Sequence, residues 1–579
     1  MKLLSLEIGE QFRSLHPGFH VNFHKLTDKG MESMLEFRPF CFAGLNGKGK
    51  SNVLEALAAI FYHLEMCVAK YRPDSFEKHF RRNTCTPDSF IIKYLISSKG
   101  LESLLNNTEE VRSYTNIVTI SKVKGEDPLM ELHPFKEPGN IRTFELIPFE
   151  DSKGKATSKV FLPDIVVGYS SGENEILSHP FIKSRLIHFD EYKESINKRP
   201  FSEPETSLIY IDEEMSQAVL LACLLFEDPG TTLKPLYDEL GIVGIQSFRM
   251  NINLIKTGFP EKKDSSLIRM EPLLDHLNNK IDLIKSCSSS FYYSKKGKKS
   301  FKGDPEADRL VLDFFTQDDQ EKNNNSKDQI RKKFKTAFDF FRFFQTLYEL
   351  NNNLVSDSVK EEVYGSQGVY TEGKLPLAGP AERAFHFLDF MILKDEGGEK
   401  PSARLLRELS DGEHQFLHTM GICLMLKDRR TLLLLDEPET HFNPKWRAEF
   451  IRMLNNSIKS GGSNNFLKDV FLTSHSPFII SDCMPDNVLF FTRNGNQLLE
   501  AKKASELGLK TYGSSVDYIL KNFFETDLIS SKSLGELKDI IDHGAIDDLR
   551  KAVDSFGESS QKQFLFKKIY EKMEKKDDN

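Results

Sequence analysis

The chain has 579 residues, of which 39% are hydrophobic and 28% charged, so we expect a globular protein of two or more domains rather than a fibrous or disordered chain. Its seven cysteines show no paired spacing, its start has no apolar signal region, and no run approaches about 18 apolar residues. These features predict a cytoplasmic protein without disulfides, a zinc site or a membrane contact, and the formal net charge of −8 means that only a local basic face would attract nucleic acid.

A glycine-rich turn lies between a predicted strand, residues 34–43, and a predicted helix, residues 52–61. This context is the one that a phosphate-binding loop requires, because glycines let backbone N–H groups close around phosphates. Lys50 would reach the β- and γ-phosphate oxygens, and the Ser51 hydroxyl would bind Mg²⁺. We therefore predict that ATP and Mg²⁺ bind here. The predicted nucleotide contacts are Gly44, Asn46, Gly47, Lys48, Gly49, Lys50, Ser51 and Asn52.

About 360 residues separate Ser51 from the next recognisable motif, and their first part predicts strands. Alternating segments at 90–96 and 117–123 indicate antiparallel strands. A further strand, 164–169, ends in the string Ser170-Ser171-Gly172-Glu173-Asn174-Glu175. We interpret this string as a nucleotide-adjacent or switch loop, and a simple turn is the alternative.

The middle of the chain predicts a mainly helical inserted subdomain. A helix at 215–226 and a strand at 240–252 are followed by helical periodicity at 266–285. A long helical pattern, 328–350, carries a phenylalanine-rich face that needs a packing partner. Its heptads are not sustained, so a long coiled arm is not predicted.

Aromatic residues and lysines surround a glycine turn between 291 and 302. Such a hairpin would neutralise phosphates with its lysines and stack bases on its aromatic rings, which predicts nucleic-acid contact. A solvated loop is the alternative. The lysines concerned are Lys295, Lys296, Lys298, Lys299 and Lys302.

Three further motifs lie between residues 409 and 477. Ser410-Asp411-Gly412-Glu413 opens an apolar helix, 416–426, and the spacing of Ser410 and Glu413 predicts a capping box. The apolar strand 432–435 then delivers Asp436 and Glu437 at its C-terminal end, where open α/β sheets bind ligands. We expect Asp436 to hold Mg²⁺ through water and Glu437 to polarise the attacking water. The last motif, Thr473-Ser474-His475-Ser476-Pro477, follows a predicted strand at 469–472.

The order and wording of these motifs resemble ABC-type ATPases, in particular their RecF, SMC and OLD branch. The string from Asp436 to Pro444 resembles the DEPExHLHP string of that branch, and Ser410 to Gly412 resembles the signature motif. The resemblance implies that Ser410, Gly412 and Glu413 meet the γ-phosphate held by the opposite protomer.

The resemblance also implies roles for two single residues. His475 resembles the switch histidine, which would contact the γ-phosphate and hold the water, so we predict that Glu437 and His475 are the catalytic residues. Leu3 to Leu15 resemble the opening strand and turn of the branch, which implies that Arg13 approaches the nucleotide.

The resemblance covers about residues 1–70 and 400–525, and it extends most specifically to the restriction-associated, PtuA-like ATPases of Septu-type antiphage systems. It implies an ATP-hydrolysing sensor and scaffold that forms homo-oligomers from head-to-tail dimers. Its expected partner is an HNH-type effector nuclease, accompanied in some systems by a reverse transcriptase and retron DNA. OLD relatives carry a nuclease module after the ATPase, but only about 55 residues follow Phe524 here, and they predict helices.

The predicted fold is therefore an α/β, ABC-type P-loop ATPase head with a largely helical inserted subdomain and a helical C-terminal extension. We expect the two parts of the head at 1–230 and 376–525, the insert at 231–375, and a partner-docking extension at 526–579. The alternatives are a RecF- or SMC-like DNA repair ATPase acting as a clamp, the energising subunit of a transporter, and a nuclease whose metal site lies in the insert.

Overall fold

The computed structural model divides the chain into two compact units, Met1–Gly513 and Ser514–Asn579. It describes residues 1–26, 37–97, 115–135, 139–148, 157–172, 174–195, 207–228, 230, 233–253, 279–294, 309–316, 325–366, 375–376, 379, 383–398, 400–426, 429–459, 468–526, 531–555, 557 and 560–577.

The strands of the first unit, in chain order, are β1 (Lys2–Ile8), β2 (Phe19–Asn22), β3 (Phe40–Ala43), β4 (Phe90–Ser97), β5 (Thr115–Lys122), β6 (Leu129–Pro134), β7 (Arg142–Glu145), β8 (Ile165–Ser170), β9 (Leu208–Tyr210), β10 (Ile242–Asn253), β11 (Ser290–Ser294), β12 (Arg309–Phe315), β13 (Phe385–Lys394), β14 (Ser402–Leu405), β15 (Thr431–Asp436), β16 (Lys468–Thr473), β17 (Val488–Arg493) and β18 (Leu499–Lys503).

The helices of the first unit are α1 (Lys50–Val68), α2 (Asp74–Glu77), α3 (Glu175–Ser195), α4 (Glu213–Phe226), α5 (Lys234–Leu240), α6 (Ser326–Lys333), α7 (Ala337–Glu349), α8 (Asp357–Gly365), α9 (Asp411–Met425), α10 (Pro444–Lys459) and α11 (Pro477–Ser481). Those of the second unit are α12 (Val516–Phe523), α13 (Ser531–His543), α14 (Ile546–Ser555) and α15 (Ser560–Asp577).

A seven-stranded sheet with the order β18-β17-β3-β16-β15-β8-β9 forms the centre of the head. All of its pairings are parallel except that of β17 with β18. Every residue of β3, β15 and β16 is buried, which explains why apolar residues dominate β3 and β15 and why β16 carries the apolar segment Val470 to Leu472. Helix α1 packs against β8, β15 and β16. Since parallel strands end at one edge, the loops after β3, β8, β15 and β16 meet there.

A six-stranded antiparallel sheet with the order β2-β1-β4-β5-β6-β7 flanks the head. Strands β4 and β5 pair in the register Phe90 with Lys122, which confirms the antiparallel strands predicted at 90–96 and 117–123. The apolar side chains of β1, β4 and β5 join one core with those of α1 and of the central sheet. The helix that follows the phosphate loop therefore belongs to a core that both sheets share.

A second antiparallel sheet has five strands in the order β11-β12-β10-β13-β14. Strand β10 confirms the strand predicted at 240–252. It pairs with β13, so this sheet combines strands from the predicted insert, 231–375, with strands from the predicted second part of the head, 376–525. The single helix predicted at 328–350 is wrong. It is divided into α6 and α7 because Phe334 is extended and the Thr336 side chain caps α7 by accepting a hydrogen bond from Asp339 N.

The second unit is helical, as the sequence predicts for the residues after Phe524. Helices α14 and α15 pack together around a small apolar cluster formed by Leu549, Ala552, Val553, Leu565 and Ile569. None of the helices in the described ranges of the chain combines the length and the apolar character needed to span a membrane.

Candidate nucleotide site

The glycine-rich turn between β3 and α1 has the backbone shape of a phosphate cradle. Gly44, Gly47 and Gly49 have φ angles of 138°, 72° and 74°, a region that disfavours other residues. A side chain at Gly44 would place its Cβ 2.8 Å from the carbonyl oxygen of Phe491. Asn46 and Gly47 are exposed, and Lys48 is half-buried. The loop therefore presents its backbone, without side-chain obstruction, at the edge of the sheet.

Lys50 closes the loop from inside. Its Nζ donates to the carbonyl oxygens of Gly44, at 3.0 Å, and Leu45, at 3.1 Å. Burial lowers the pKa of Lys50 to about 8, and the carboxylates of Glu437 and Asp436 oppose this shift. A buried ammonium held by backbone oxygens is suited to exchange these partners for phosphate oxygens.

Asp436 is the centre of the site, because three other elements donate hydrogen bonds to its carboxylate. Ser51 Oγ and Thr473 Oγ1 donate to Oδ1 at 2.8 and 2.6 Å, and Asn174 Nδ2 donates to Oδ2 at 2.6 Å. The oxygens of Ser51 and Asp436 are the kind of ligand that Mg²⁺ prefers. Their contact beside the phosphate loop fits the predicted MgATP site.

Glu437 and His475 form a pair next to Asp436. Glu437 has a φ of 48°, and its backbone N–H donates to Thr473 Oγ1 at 2.9 Å. His475 Nε2 lies 3.4 Å from Glu437 Oε1. The hydrogen bond with His475 lowers the pKa of Glu437, against the effect of burial, and Lys50 contributes in the same direction. Glu437 is therefore an ionised carboxylate at neutral pH, the state that a general base requires.

A third carboxylate, Glu439, orders the loop that carries His475. Ser474 Oγ donates to Glu439 Oε1 and accepts from the backbone N–H of Ser476 at 2.9 Å. The N–H of Ser474 itself donates to Phe42 O at 3.2 Å on β3. Burial raises the pKa of Glu439 to about 7. This arrangement ties the histidine loop to the string Asp436 to Glu439 and to the phosphate-loop strand.

The loop after β8 contacts both the backbone and the carboxylate of Asp436. Ser171 N donates to Asp436 O at 3.2 Å, and Ser171 Oγ donates to Thr440 Oγ1 at 2.9 Å. Asn174 Oδ1 accepts from Leu177 N at 3.1 Å, so the same side chain that bonds Asp436 also begins α3. Sequence reasoning singled out this loop but missed the role of Asn174, as well as that of Thr473.

Arg13 lies at the start of α1. The turn that carries it is closed by the backbone hydrogen bond from Phe12 to Leu15, and Arg13 has a φ of 53°. Its Nε is 3.9 Å from Oε2 of the buried Glu55. Burial raises the pKa of Glu55 to about 7, and Arg13 opposes that shift. In the same region, the Asn52 amide and the Ser14 hydroxyl are 2.7 Å apart.

The segment Ser410 to Glu413 forms the predicted capping box at the start of α9. Ser410 N donates to Glu413 Oε2 at 2.8 Å, and Glu413 N donates to Ser410 Oγ at 3.3 Å. Burial alone would raise the pKa of Glu413, but hydrogen bonds from Lys394 and Ser410 hold it below its usual value. A Cβ at Gly412 would lie 2.7 Å from His441 O. Ser410 is exposed, so its hydroxyl and the helix N-terminus lie at the surface of the unit.

The remaining predicted contacts, Lys295, Lys296, Lys298, Lys299 and Lys302, lie outside the described residues. Of the other predicted residues, the structure brings Lys50, Ser51, Asp436, Glu437 and His475 into one cluster.

Comparisons with known proteins agree with part of this description. A family model described as an AAA domain, putative AbiEii toxin of a type IV toxin–antitoxin system, matches residues 236–481, less than half of the chain. The match includes Ser410, Asp436, Glu437 and His475 but not the phosphate loop. No curated protein matches the sequence.

Among solved structures, one of the recombination mediator protein RecF-ATPrS in the RecFOR pathway aligns at 12% identity. The alignment covers 86% of this chain and 97% of the RecF chain, with a TM-score of 0.28. A likeness this weak does not by itself show a shared fold. The sheet order and the four loops decide the assignment instead. They show an α/β protein with a P-loop ATPase head, whose site elements follow one another in the order of ABC-type ATPases.

Proposed function

We propose that this chain is a cytoplasmic ATP-binding and ATP-hydrolysing sensor and scaffold of an antiphage defence system. In this proposal its heads dimerise head to tail and control a separate HNH-type effector nuclease. One observation carries the ATP-binding and head-to-tail parts of the proposal: one protomer supplies the phosphate loop, the metal-side carboxylate and the candidate base, whereas Ser410 at the start of α9 is exposed and bonded to its own Glu413.

Each residue of the pocket has a separate task in this proposal. Lys50 and the loop backbone bind phosphates, and Ser51 with Asp436 would hold Mg²⁺, which supplies charge neutralisation when bound. Glu437 accepts a proton from the attacking water, because its carboxylate is ionised and half-exposed. His475 orients Glu437, and Asn174 with Thr473 fixes the direction of Asp436.

The opposite protomer would complete the site with the N-terminus of α9. The N-terminus of a helix favours an anion, and Ser410, Gly412 and Glu413 lie at that end of α9. ATP-bound heads would then associate, and hydrolysis would separate them. Such a cycle changes the activity of a nuclease only if the nuclease has different affinities for the two states.

The second unit is the proposed docking site for the nuclease. On α15 the side chains of Phe566 and Tyr570, one helical turn apart, are 45% and 66% exposed. Exposed aromatic side chains on one helix face are typical of protein-binding surfaces. In a retron-type arrangement, a reverse transcriptase with its DNA would be a further partner.

The experiment that tests the proposal is native mass spectrometry of affinity-tagged Glu437→Gln protein produced with its neighbouring gene product, with and without MgATP. We expect a nucleotide-dependent even-numbered assembly that retains a nuclease, and Lys50→Ala protein as the matched control should form neither. A monomer at saturating ATP would overturn the dimer mechanism.

Two further outcomes would redirect the proposal. Capture of the nuclease by a chain truncated after residue 525 would remove the second unit from its docking role. A nucleotide-dependent homodimer that captures no nuclease, and whose hydrolysis DNA stimulates, would favour the RecF- or SMC-like clamp instead.

A further inference from the structure

The five-stranded sheet ends in a strand whose aromatic side chains are exposed. Strand β11 is at the edge of the sheet and pairs with β12 in the register Phe291 with Leu312 and Tyr293 with Leu310. Phe291, Tyr292 and Tyr293 are 46%, 51% and 44% exposed. Scattered exposed rings are ordinary, but three consecutive ones expose aromatic surface on both faces of an edge strand, and clusters of exposed apolar side chains mark interaction sites.

A lysine holds positive charge against this patch. Lys285 Nζ lies 4.2 Å from the ring centroid of Phe291 and 5.2 Å from that of Tyr293, and it donates to the Tyr293 hydroxyl at 3.0 Å. Cation–π contacts of this kind fix the ammonium beside the rings. A ligand that lies on these rings therefore meets a positive charge at its margin.

The two faces of the strand extend the patch in both directions. Side chains alternate along a strand, so Tyr292 lies on the opposite face from Phe291 and Tyr293. A neighbouring acid on the Tyr292 face, Asp313, is paired with Arg249 at 2.5 Å and accepts from Ser290 Oγ at 3.3 Å, and the exposed Asp389 stands opposite Arg249 in β13. The positive charge of Lys285 therefore lies on the Phe291 and Tyr293 face.

We propose that Lys285, Phe291, Tyr292 and Tyr293, here called the aromatic platform, bind single-stranded nucleic acid. Unpaired bases stack on exposed aromatic rings without sequence preference, and a lysine at their edge attracts the phosphates. Duplex DNA hides its base faces from stacking, so the platform selects single strands. The lysine-rich segment after Ser294 lies outside the described residues and is not part of the platform.

The test is fluorescence anisotropy of the full chain with labelled oligo-dT and oligo-rU of about 16 nucleotides and with a duplex of the same length. We expect tighter binding of the single strands. Tyr292→Ala should weaken it by about 5- to 100-fold, whereas Tyr292→Phe should retain it, because the ring is what stacks. Tyr512→Ala, which removes a tyrosine that is 65% exposed, is the matched control and should bind like the wild type.

Three results would overturn the platform: no binding of either oligonucleotide, equal affinity for the duplex, or binding that Tyr292→Ala leaves unchanged. Thermal melting of each variant shows that the fold is intact. Binding of labelled ATP by the same samples provides an independent check, because the platform and the nucleotide site share no residue. The oligonucleotide-binding result can therefore be interpreted even if the ATPase proposal fails.

Discussion

The nucleotide site and the aromatic platform lie in one unit of the chain but are built in opposite ways. In the first, Asp436 receives hydrogen bonds from Ser51, Thr473 and Asn174, which come from three different elements. In the second, the rings on an edge strand are exposed to solvent, and Lys285 contacts two of them. Groups that share one partner are energetically coupled, whereas groups on opposite faces contribute separately. Mutations should therefore have large, interdependent effects in the first region and smaller, separable effects in the second.

The largest effect is expected for Glu437→Gln. Removing the ionised carboxylate that His475 orients should lower the rate of ATP hydrolysis by about 10²- to 10⁴-fold. ATP affinity should change little, because Lys50, Ser51 and Asp436 remain. Phosphate release and isothermal titration calorimetry measure the two quantities, and Glu145→Gln, at an exposed glutamate of β7, is the control. Hydrolysis within threefold of the wild type would contradict the role of Glu437.

Lys50→Ala should weaken ATP binding by about 100-fold, since truncation removes a buried charge-assisted contact. Isothermal titration calorimetry measures the dissociation constant. Lys124→Ala removes a lysine whose side chain is 74% exposed and serves as the control. If the two variants bind ATP equally well, the phosphate loop does not hold the nucleotide through Lys50.

The third prediction tests the coupling itself. Asn174→Ala and Thr473→Val each remove a hydrogen bond to Asp436, so each should lower Mg²⁺-dependent hydrolysis about tenfold. Their combination should cost less than the product of the two effects, because the partners act on one carboxylate. Mg²⁺ titrations measure the hydrolysis, and chelation of Mg²⁺ should abolish it in every variant.

On the aromatic platform, the same kind of double-mutant test should show independent effects instead of coupled ones. Phe291→Ala and Tyr292→Ala remove rings on opposite faces of β11, so their effects on oligonucleotide affinity should multiply. The comparison would be wrong if the two mutations in the nucleotide site had independent effects on hydrolysis, or if the two mutations on the platform had strongly coupled effects on oligonucleotide affinity.

The fourth prediction concerns pH. Burial lowers the pKa of Lys50 to about 8 in the free protein, and phosphate contact favours the charged form, so binding raises that pKa. The contribution of Lys50 to ATP affinity should be constant below pH 8 and fall by up to about tenfold per pH unit above it, until the pKa of the complex is reached. Calorimetry across this range measures the slope. Lys50→Arg stays protonated and should show none, whatever its absolute affinity.

The sequence predicts which residues meet at the candidate nucleotide site because each of its main residues belongs to a short contiguous motif. Lys50 and Ser51 follow glycines whose φ angles the loop requires, and Asp436 and Glu437 follow a buried strand. Asn174 could not be predicted in the same way. Its role depends on β8 lying beside β15 in the sheet, and the pairing of two strands so far apart in the chain is not encoded in either strand alone.

The wrongly predicted helix shows a second limit. Phenylalanines continue the apolar period from Phe334 into α7, and this periodicity hides the break. The signal for the break was present but local, because Thr336 precedes Asp339 at the spacing of a helix cap. The edge aromatics of β11 were likewise visible in the sequence, but their exposure depends on the position of the strand at the sheet edge.

The smallest effect is expected at Ser410, where one side chain has an established structural task and a proposed functional one. Ser410→Ala should lower the free energy of unfolding by about 1 kcal/mol, because the capping hydrogen bond to Glu413 N is lost. Ser410→Asn keeps an N-cap acceptor and an N–H donor for the Glu413 carboxylate, so stability should be retained, but its larger side chain would obstruct a γ-phosphate from the opposite protomer. Thermal melting and the ATP-dependent mass of the Glu437→Gln protein separate the two tasks. If Ser410→Asn melts like the wild type and still dimerises, Ser410 is a helix cap and nothing more.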